Sequence, residues 1–274
     1  MLVTRRAALK GIVATTVGAV TGAGAYGVVY ERHHIGTTDA TLPVSGLPNA
    51  LDGLRVGFVT DIHHSAMVSA EDVRTAVDLV TAARPDLIVL GGDYVTWGDR
   101  AFVGPVAELL APLTAPHGVF AILGNHDDDR DMPAALTAKG IQVLKDARTR
   151  LEIHGEGLEL AGIRFWTRKT SDIARVVGRA RDTVLLLAHD PRRLDEAADL
   201  DVPAVLSGHT HGGQVVIPGL GAVARRRFPV LSGLGSRNNT WMFVSRGIGT
   251  VYVPIRINCP PEVAIVTLKR KSQI

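Results

Sequence analysis

Short runs of apolar, β-branched residues alternate along the chain with stretches whose apolar positions recur at helical spacing. Residues 54–60 form the first run and end at Asp61-Ile62-His63-His64; residues 86–90 lead into Gly91-Gly92-Asp93-Tyr94, and residues 119–123 into Gly124-Asn125-His126-Asp127. In the second half, residues 183–187 end at Ala188-His189-Asp190 and residues 202–206 run into Gly208-His209-Thr210-His211-Gly212-Gly213. Between them, Ser69 with Asp72 three positions on makes a capping box, and Val73, Ala76, Val77 and Val80 form the apolar stripe of the helix it opens. Further helices are expected over residues 103–110, 173–180 and 193–198. Residues 141–166 read as short antiparallel strands around polar turns such as His154-Gly155-Glu156-Gly157. Residues 214–217, 241–245 and 262–269 read as strands, the last closing the sheet. Continuous apolar strands separated by helices predict an α/β fold whose mostly parallel sheet is covered on both faces.

The first thirty residues follow a different pattern. Thr4-Arg5-Arg6-Ala7-Ala8-Leu9-Lys10 places three cations ahead of residues 11–30, which carry no charge. That arrangement resembles a twin-arginine export signal. The uncharged stretch is rich in Gly, Ala and Thr, hence only mildly apolar, which suits export better than a stable anchor, although its length permits a span. Ala23-Gly24-Ala25 offers a small-residue cleavage site. The expected organisation is therefore a signal or membrane anchor over residues 1–30, a linker over residues 31–50 with Pro43, Gly46 and Pro48, and one α/β domain over residues 51–274. The implied location is the cell envelope or the exterior, with membrane or cell-wall association through the N-terminal segment.

Removing that segment changes the charge balance. The chain has 30 basic and 27 acidic side chains; residues 1–30 hold three of the former and none of the latter, so the remainder is neutral. A neutral domain gives no reason to expect nucleic-acid binding. Arg225-Arg226-Arg227 lies between glycine-rich stretches near the motifs, within reach of an anionic substrate, and Lys269-Arg270-Lys271 forms a basic tail; a solvated loop and a frayed end are the simpler readings of the two. Cys259 is the sole cysteine and excludes an intrachain disulfide.

Asp61, His63, Asp93, Asn125, His126, His189, His209 and His211 all sit at or just beyond the C-terminal ends of expected strands, where open α/β sheets place their ligand crevice. Turn formation alone would have mixed in Ser and Pro. Carboxylate, amide oxygen and imidazole without thiolate favour manganese, iron or zinc over soft metals, and the imidazoles disfavour a magnesium or calcium cage.

Taken in order, Asp61-Ile62-His63, Gly92-Asp93, Gly124-Asn125-His126-Asp127, His189 and Gly208-His209-Thr210-His211 resemble the five sequence blocks of calcineurin-like metallophosphoesterases. The tail, with Ser245-Arg246-Gly247-Ile248-Gly249, Pro254-Ile255-Arg256 and Pro260-Pro261-Glu262, is similar to the exported bacterial envelope phosphodiesterases of that family. The resemblance implies a two-sheet β-sandwich flanked by helices, with a dinuclear metal site at the strand ends. Asp61, His63 and His211 would hold one divalent ion, Asn125, His189 and His209 the other, and Asp93 would bridge them. A hydroxide shared by two such ions is a nucleophile near neutral pH, and His126 resembles the family's general acid, completing with Asp93 and Asn125 the implied catalytic set.

The implied activity is hydrolysis of phosphodiester or pyrophosphate bonds in an envelope or lipid-linked substrate. A phosphomonoesterase or nucleotidase is the alternative enzyme, and a non-catalytic, metal-stabilised envelope-binding protein the alternative outside enzymes. One departure stands out: where many relatives carry an Asp that orients the catalytic histidine and an Arg that grips phosphate, this chain has Thr96 and Trp97. Asp127 and Asp128 are then candidates to orient His126. His64 is extra to the pattern. The pocket walls are expected near residues 94–100 and 219–239, and Trp97 and Trp241 could stack on a substrate or serve in packing.

Overall fold

A computed structural model describes residues 5–222 and 228–271; the Arg225-Arg226-Arg227 run lies outside the described residues. Two six-stranded sheets face one another. The first has the order β1 (Gly36–Val44), β14 (Glu262–Arg270), β2 (Arg55–Val59), β3 (Leu87–Leu90), β4 (Val119–Ala121) and β5 (Gln142–Val143). The second runs β12 (Gly233–Arg237), β13 (Thr240–Val244), β9 (Ala204–Ser207), β8 (Thr183–Ala188), β7 (Glu156–Ile163) and β6 (Ala147–Ile153).

The apolar runs are continuous because each strand is buried on both faces, with successive side chains pointing opposite ways. Val56 and Phe58 of β2, Leu87 and Val89 of β3, and Leu185 and Leu187 of β8 fill the layer between the sheets. Their neighbours Val59, Ile88 and Leu90 face outward under α2 (Ala70–Ala82), α3 (Val103–Leu110) and α4 (Asp131–Thr137). Leu186 and Ala188 face the other way, under α5 (Thr170–Val177) and α6 (Leu194–Asp199). Four buried positions on α2, at about 1.5–3 kcal/mol for each fully buried Val, fix that helix on the sheet, and Ser69 and Asp72 close its N-terminus with the reciprocal capping bonds.

β2, β3, β4 and β5 are parallel, as are β7, β8, β9 and β13. The C-terminal ends of both parallel sets therefore open on one rim, and every motif read from the sequence lies there.

Three expectations need correcting. In place of a linker, residues 31–50 contribute β1, paired in parallel with β14 from Gly36↔Glu262 to Val44↔Arg270, with Leu42 and Val44 buried. Pro43 is tolerated because β1 is an edge strand with one side free of ladder bonds. β14 does not close an edge but lies between β1 and β2. Of the strands in residues 141–166, β6 and β7 are antiparallel, whereas β5 pairs in parallel with β4. Before β1, a helix α1 spans Arg5–Val29; among the described residues no helix is long and apolar enough to cross a membrane.

Candidate metal centre

Five of the eight candidate residues leave their strands in the left-handed backbone region: Asp61 (φ 54), His63 (φ 49), Asp93 (φ 56), His209 (φ 73) and His211 (φ 51). Asp and His tolerate that region better than most side chains, but each instance still costs about 1 kcal/mol or more. Of the fifteen non-glycine residues with positive φ among those described, these five share one rim and aim their side chains into it.

The aim is convergent. Asp61, His63 and His211 bring ligand atoms within 4.8 Å of one another, and Asp93, His189 and His209 do the same. Asp93 stands between the two groups: its Oδ2 lies 3.0 Å from His189 Nε2 and 3.5 Å from His63 Nε2. His211 Nε2 is 3.4 Å from Asp61 Oδ1, while His189 Nε2 is 3.9 Å from that oxygen. Asp93 Oδ1 is occupied by the His126 backbone N–H at 2.8 Å, which leaves Oδ2 as the shared oxygen. Asp61 is held by the His209 N–H at 3.0 Å and the Thr60 hydroxyl at 2.9 Å. Gly124 and Gly208 permit this closeness, since a Cβ at either would overlap the Asp93 or the Asp61 carboxylate respectively.

These residues fit divalent cations on their own terms. His63 Nε2, Asn125 Oδ1 and His189 Nε2 are buried and have no partner of hydrogen-bonding geometry, an arrangement that costs several kcal/mol unless something else satisfies them. All three belong to this rim. Asn125, the amide ligand expected from the sequence, thus has a buried side-chain oxygen without a partner.

Backbone carbonyls set the tautomers. His189 Nδ1 donates to Gly91 O at 2.8 Å and His211 Nδ1 to Gly249 O at 3.2 Å, so each ring, when neutral, turns an Nε2 lone pair to the centre. Burial pushes His63 and His209 down to about 4 and His211 well below its ordinary value, leaving neutral imidazoles ready to ligate. His189 differs. Burial lowers it too, but the carboxylates of Asp93 and Asp61 outweigh burial and push it up to about 10. Burial raises Asp61 to about 6.

His126 is held differently again. Its Nδ1 accepts the backbone N–H of Trp97 at 3.0 Å, and its carbonyl accepts the Gly98 N–H at 2.8 Å. Trp97 reaches this position through its own left-handed turn (φ 55), and its indole lies 4.4 Å from the imidazole. Neither proposed orienting carboxylate touches His126. Asp127 accepts from the backbone N–H groups of Asp93, Tyr94 and Gly124, at 2.7–2.8 Å, and Asp128 accepts from those of Arg130 and Asp131. Both brace loops. Thr96 lies beside His63, its hydroxyl 3.4 Å from Nδ1, and His64 turns away, its Nδ1 bound to Val68 O at 2.9 Å.

Sequence reasoning left several contributors unidentified. Arg256 is fully buried and donates to the carbonyls of Arg246, Gly247, Gly249 and Cys259; only an arginine hemmed in by glycines and prolines hinted at it. Phe165 and Phe228 flank His209 at 5.2 and 5.5 Å. Over them lie two cations, Arg168 at 5.2 Å from the Phe165 ring and Arg192 at 5.4 Å from Phe228. Trp241 is partly buried and packs against the layer between the sheets.

Residues 54–213 match the profile of calcineurin-like phosphoesterases. Over 97% of both chains, the sequence is 32% identical to the uncharacterised metallophosphoesterase YkuE of Bacillus subtilis. It is 30% identical to the phosphodiesterase YaeI of Escherichia coli, over 78% of this chain and 82% of that one. A third relative, an uncharacterised metallophosphoesterase of Aquifex aeolicus, is 30% identical over 88% of this chain and 95% of its own length.

Proposed function

The chain belongs to the calcineurin-like phosphoesterase family, and within it we propose that the protein is a dinuclear metal-dependent phosphodiesterase acting on phosphodiester or pyrophosphate bonds of an envelope or lipid-linked substrate. The observation that carries the dinuclear reading is Asp93 Oδ2, placed between His63 and His189 with one imidazole group on either side. In this reading Asp61, His63 and His211 hold one cation, Asn125, His189 and His209 the other, and Asp93 serves both. Manganese, iron or zinc suits that donor set. Two such cations, when bound, supply an activated water and neutralise charge on the phosphoryl oxygens.

The chain's own contribution to the reaction is a hydrogen-bond donor. Because His126 Nδ1 accepts from Trp97, a neutral His126 carries its hydrogen on Nε2, and that N–H can donate a hydrogen bond that steadies the leaving oxygen as negative charge builds on it. Burial lowers the His126 pKa, which keeps the ring neutral with that donor in place. Arg168 supplies positive charge on the His209 side, and Arg192 beside it is paired with Asp190; neither stands at Trp97, where many relatives carry the gripping arginine.

Preference for diesters draws support from the Escherichia coli relative's name. The twin-arginine pattern supports export across the cytoplasmic membrane as part of the same proposal. Turnover of bis(4-nitrophenyl) phosphate and 4-nitrophenyl phosphate by the manganese-loaded protein and by Asp93→Asn tests it. Faster diester hydrolysis, lost in the variant, is expected. Faster monoester hydrolysis would favour a phosphomonoesterase, and two bound cations without turnover of either would favour a binding protein.

A further inference from the structure

Large apolar side chains exposed to water are scattered singly on most surfaces. Here they gather on one strip beside the metal centre. Trp97, 64% exposed, stacks edge-on against Tyr252 at 5.3 Å, and Tyr252 is itself 74% exposed and followed by exposed Val253. The strip continues through Gln214, whose amide donates to Val253 O and Ile255 O, and through the Val215↔Ile257 bridge. From there it enters the hairpin of β10 (Val216–Ile217) and β11 (Gly221–Ala222), which raises Ile217 and Leu220 into solvent, Leu220 at 80%.

The same strip receives the end of α1. Gly27 packs against Ile255, Arg256 and Ile257, and its carbonyl accepts the Arg256 N–H at 3.2 Å. Tyr26, Val29 and Tyr30, around that junction, are exposed as well. The twenty uncharged residues of the N-terminal segment therefore end on the apolar strip, not at a remote point of the domain. Among the described residues of the domain, two large exposed apolar side chains lie off the strip: Trp166, 69% exposed, which packs on Phe165 at the His209 side of the centre, and Leu234 of β12.

We propose that this strip is a membrane-docking face. Tyr252, Val253, Ile217 and Leu220 enter the interfacial region of a phospholipid bilayer alongside the N-terminal helix and bring the mouth of the metal centre against lipid headgroups. Trp and Tyr at its centre have the amphipathic character favoured at the water–hydrocarbon boundary. The helix α1, which carries Arg5, Arg6 and Lys10 at its start and no charge beyond them, supplies the second attachment that stable surface binding requires. A soluble substrate would not need these side chains exposed beside the catalytic histidine, whereas a diester in a headgroup is presented at this depth. The inference deepens the proposed reading and rests on it for the reacting group alone; docking itself can be measured without turnover.

The test uses the full-length chain on vesicles of phosphatidylcholine and phosphatidylglycerol, with and without brominated acyl chains. The fluorescence of Trp97, isolated as the difference between wild type and Trp97→Phe, is expected to be quenched by brominated lipid. In the Leu220→Ser, Val253→Ser double variant that quenching is lost, while hydrolysis of soluble bis(4-nitrophenyl) phosphate stays within about two-fold of wild type, as for surface changes away from a site. Vesicle binding without Trp97 quenching, or quenching that survives the double substitution, would show the helix acting alone and overturn the proposal. Concentration-dependent self-association abolished by the same pair of substitutions would make a second copy the occupant and overturn it equally. Failure of the diesterase reading appears separately, as absent turnover of the soluble diester by wild type.

Discussion

The backbone N–H of Trp97 points at Nδ1 of His126 from 3.0 Å, and that single bond decides which nitrogen of the imidazole carries the hydrogen. A side-chain carboxylate in that place would accept from Nδ1–H and favour the imidazolium. An amide donor does the opposite, keeping Nδ1 bare and the ring neutral with its hydrogen on Nε2.

If the Nε2–H of His126 steadies the leaving oxygen, its value depends on how much help that oxygen needs. His126→Ala is expected to lower kcat by about 10²- to 10⁴-fold on a diester with an alkyl leaving group, and much less with nitrophenolate, which departs without a proton. Cation content, measured by elemental analysis, should be unchanged. Equal losses on both substrates would assign His126 a purely structural role.

The strand ends were legible because burial on both faces leaves continuous apolar runs, and a polar Asp, Asn or His closing each run contrasts with them. The family blocks then ordered those residues. β1 escaped notice because an edge strand carrying Pro43, with Thr and Asp on its open side, looks like a turn-rich linker. α4 escaped because Pro133 sits in its first turn, where no backbone donor is required. The orientation of His126 could not be read at all, since it depends on a main-chain N–H that any residue at position 97 would carry. The Arg256 clamp is hidden for a related reason: its four acceptors are carbonyls, which have no side-chain signature.

Cation loading should release protons. His189, pushed up to about 10, holds its proton at pH 7 between Asp93 and Asp61, and a divalent ion must displace it. Calorimetry of manganese binding to chelator-treated protein, in buffers of different ionisation enthalpy, is expected to show about one proton released at pH 7. The sign fixes the profile. Since the bound state lacks that proton, affinity rises with pH until the solution approaches the His189 value. Below about pH 6 Asp61 also takes up a proton, so affinity falls more steeply there. Release that persists in His189→Gln would remove His189 as its source.

Arg256 should tie stability to ligation. Its guanidinium joins the carbonyls of Arg246, Gly247, Gly249 and Cys259, and Gly249 O also receives His211 Nδ1. Arg256→Met removes the donors but keeps much of the buried volume, leaving carbonyls unpaired at about 1–3 kcal/mol each. The melting temperature should drop by several degrees, and His211, no longer held in one tautomer, should bind its cation more weakly. Arg256→Lys restores part of both. A variant that melts lower yet keeps full affinity would confine Arg256 to the fold.

Two glycines separate packing at the centre from helix propensity elsewhere. Gly124 lies so close to Asp93 that a methyl group would displace its carboxylate, whereas Gly104, in α3, has nothing within 4 Å of an added Cβ. Gly104→Ala is expected to stabilise the protein by about 0.4–1 kcal/mol, through lost freedom in the unfolded chain, with activity unchanged. Gly124→Ala should move Asp93 Oδ2 away from His63 and His189, lowering the bound cation count and diesterase activity together. Tyr94, donating to Leu90 O and Ile122 O below the same loop, limits the damage to the fold, so thermal unfolding should remain cooperative. If Gly124→Ala kept two cations at wild-type affinity, Asp93 could not be the ligand shared between the two groups of imidazoles.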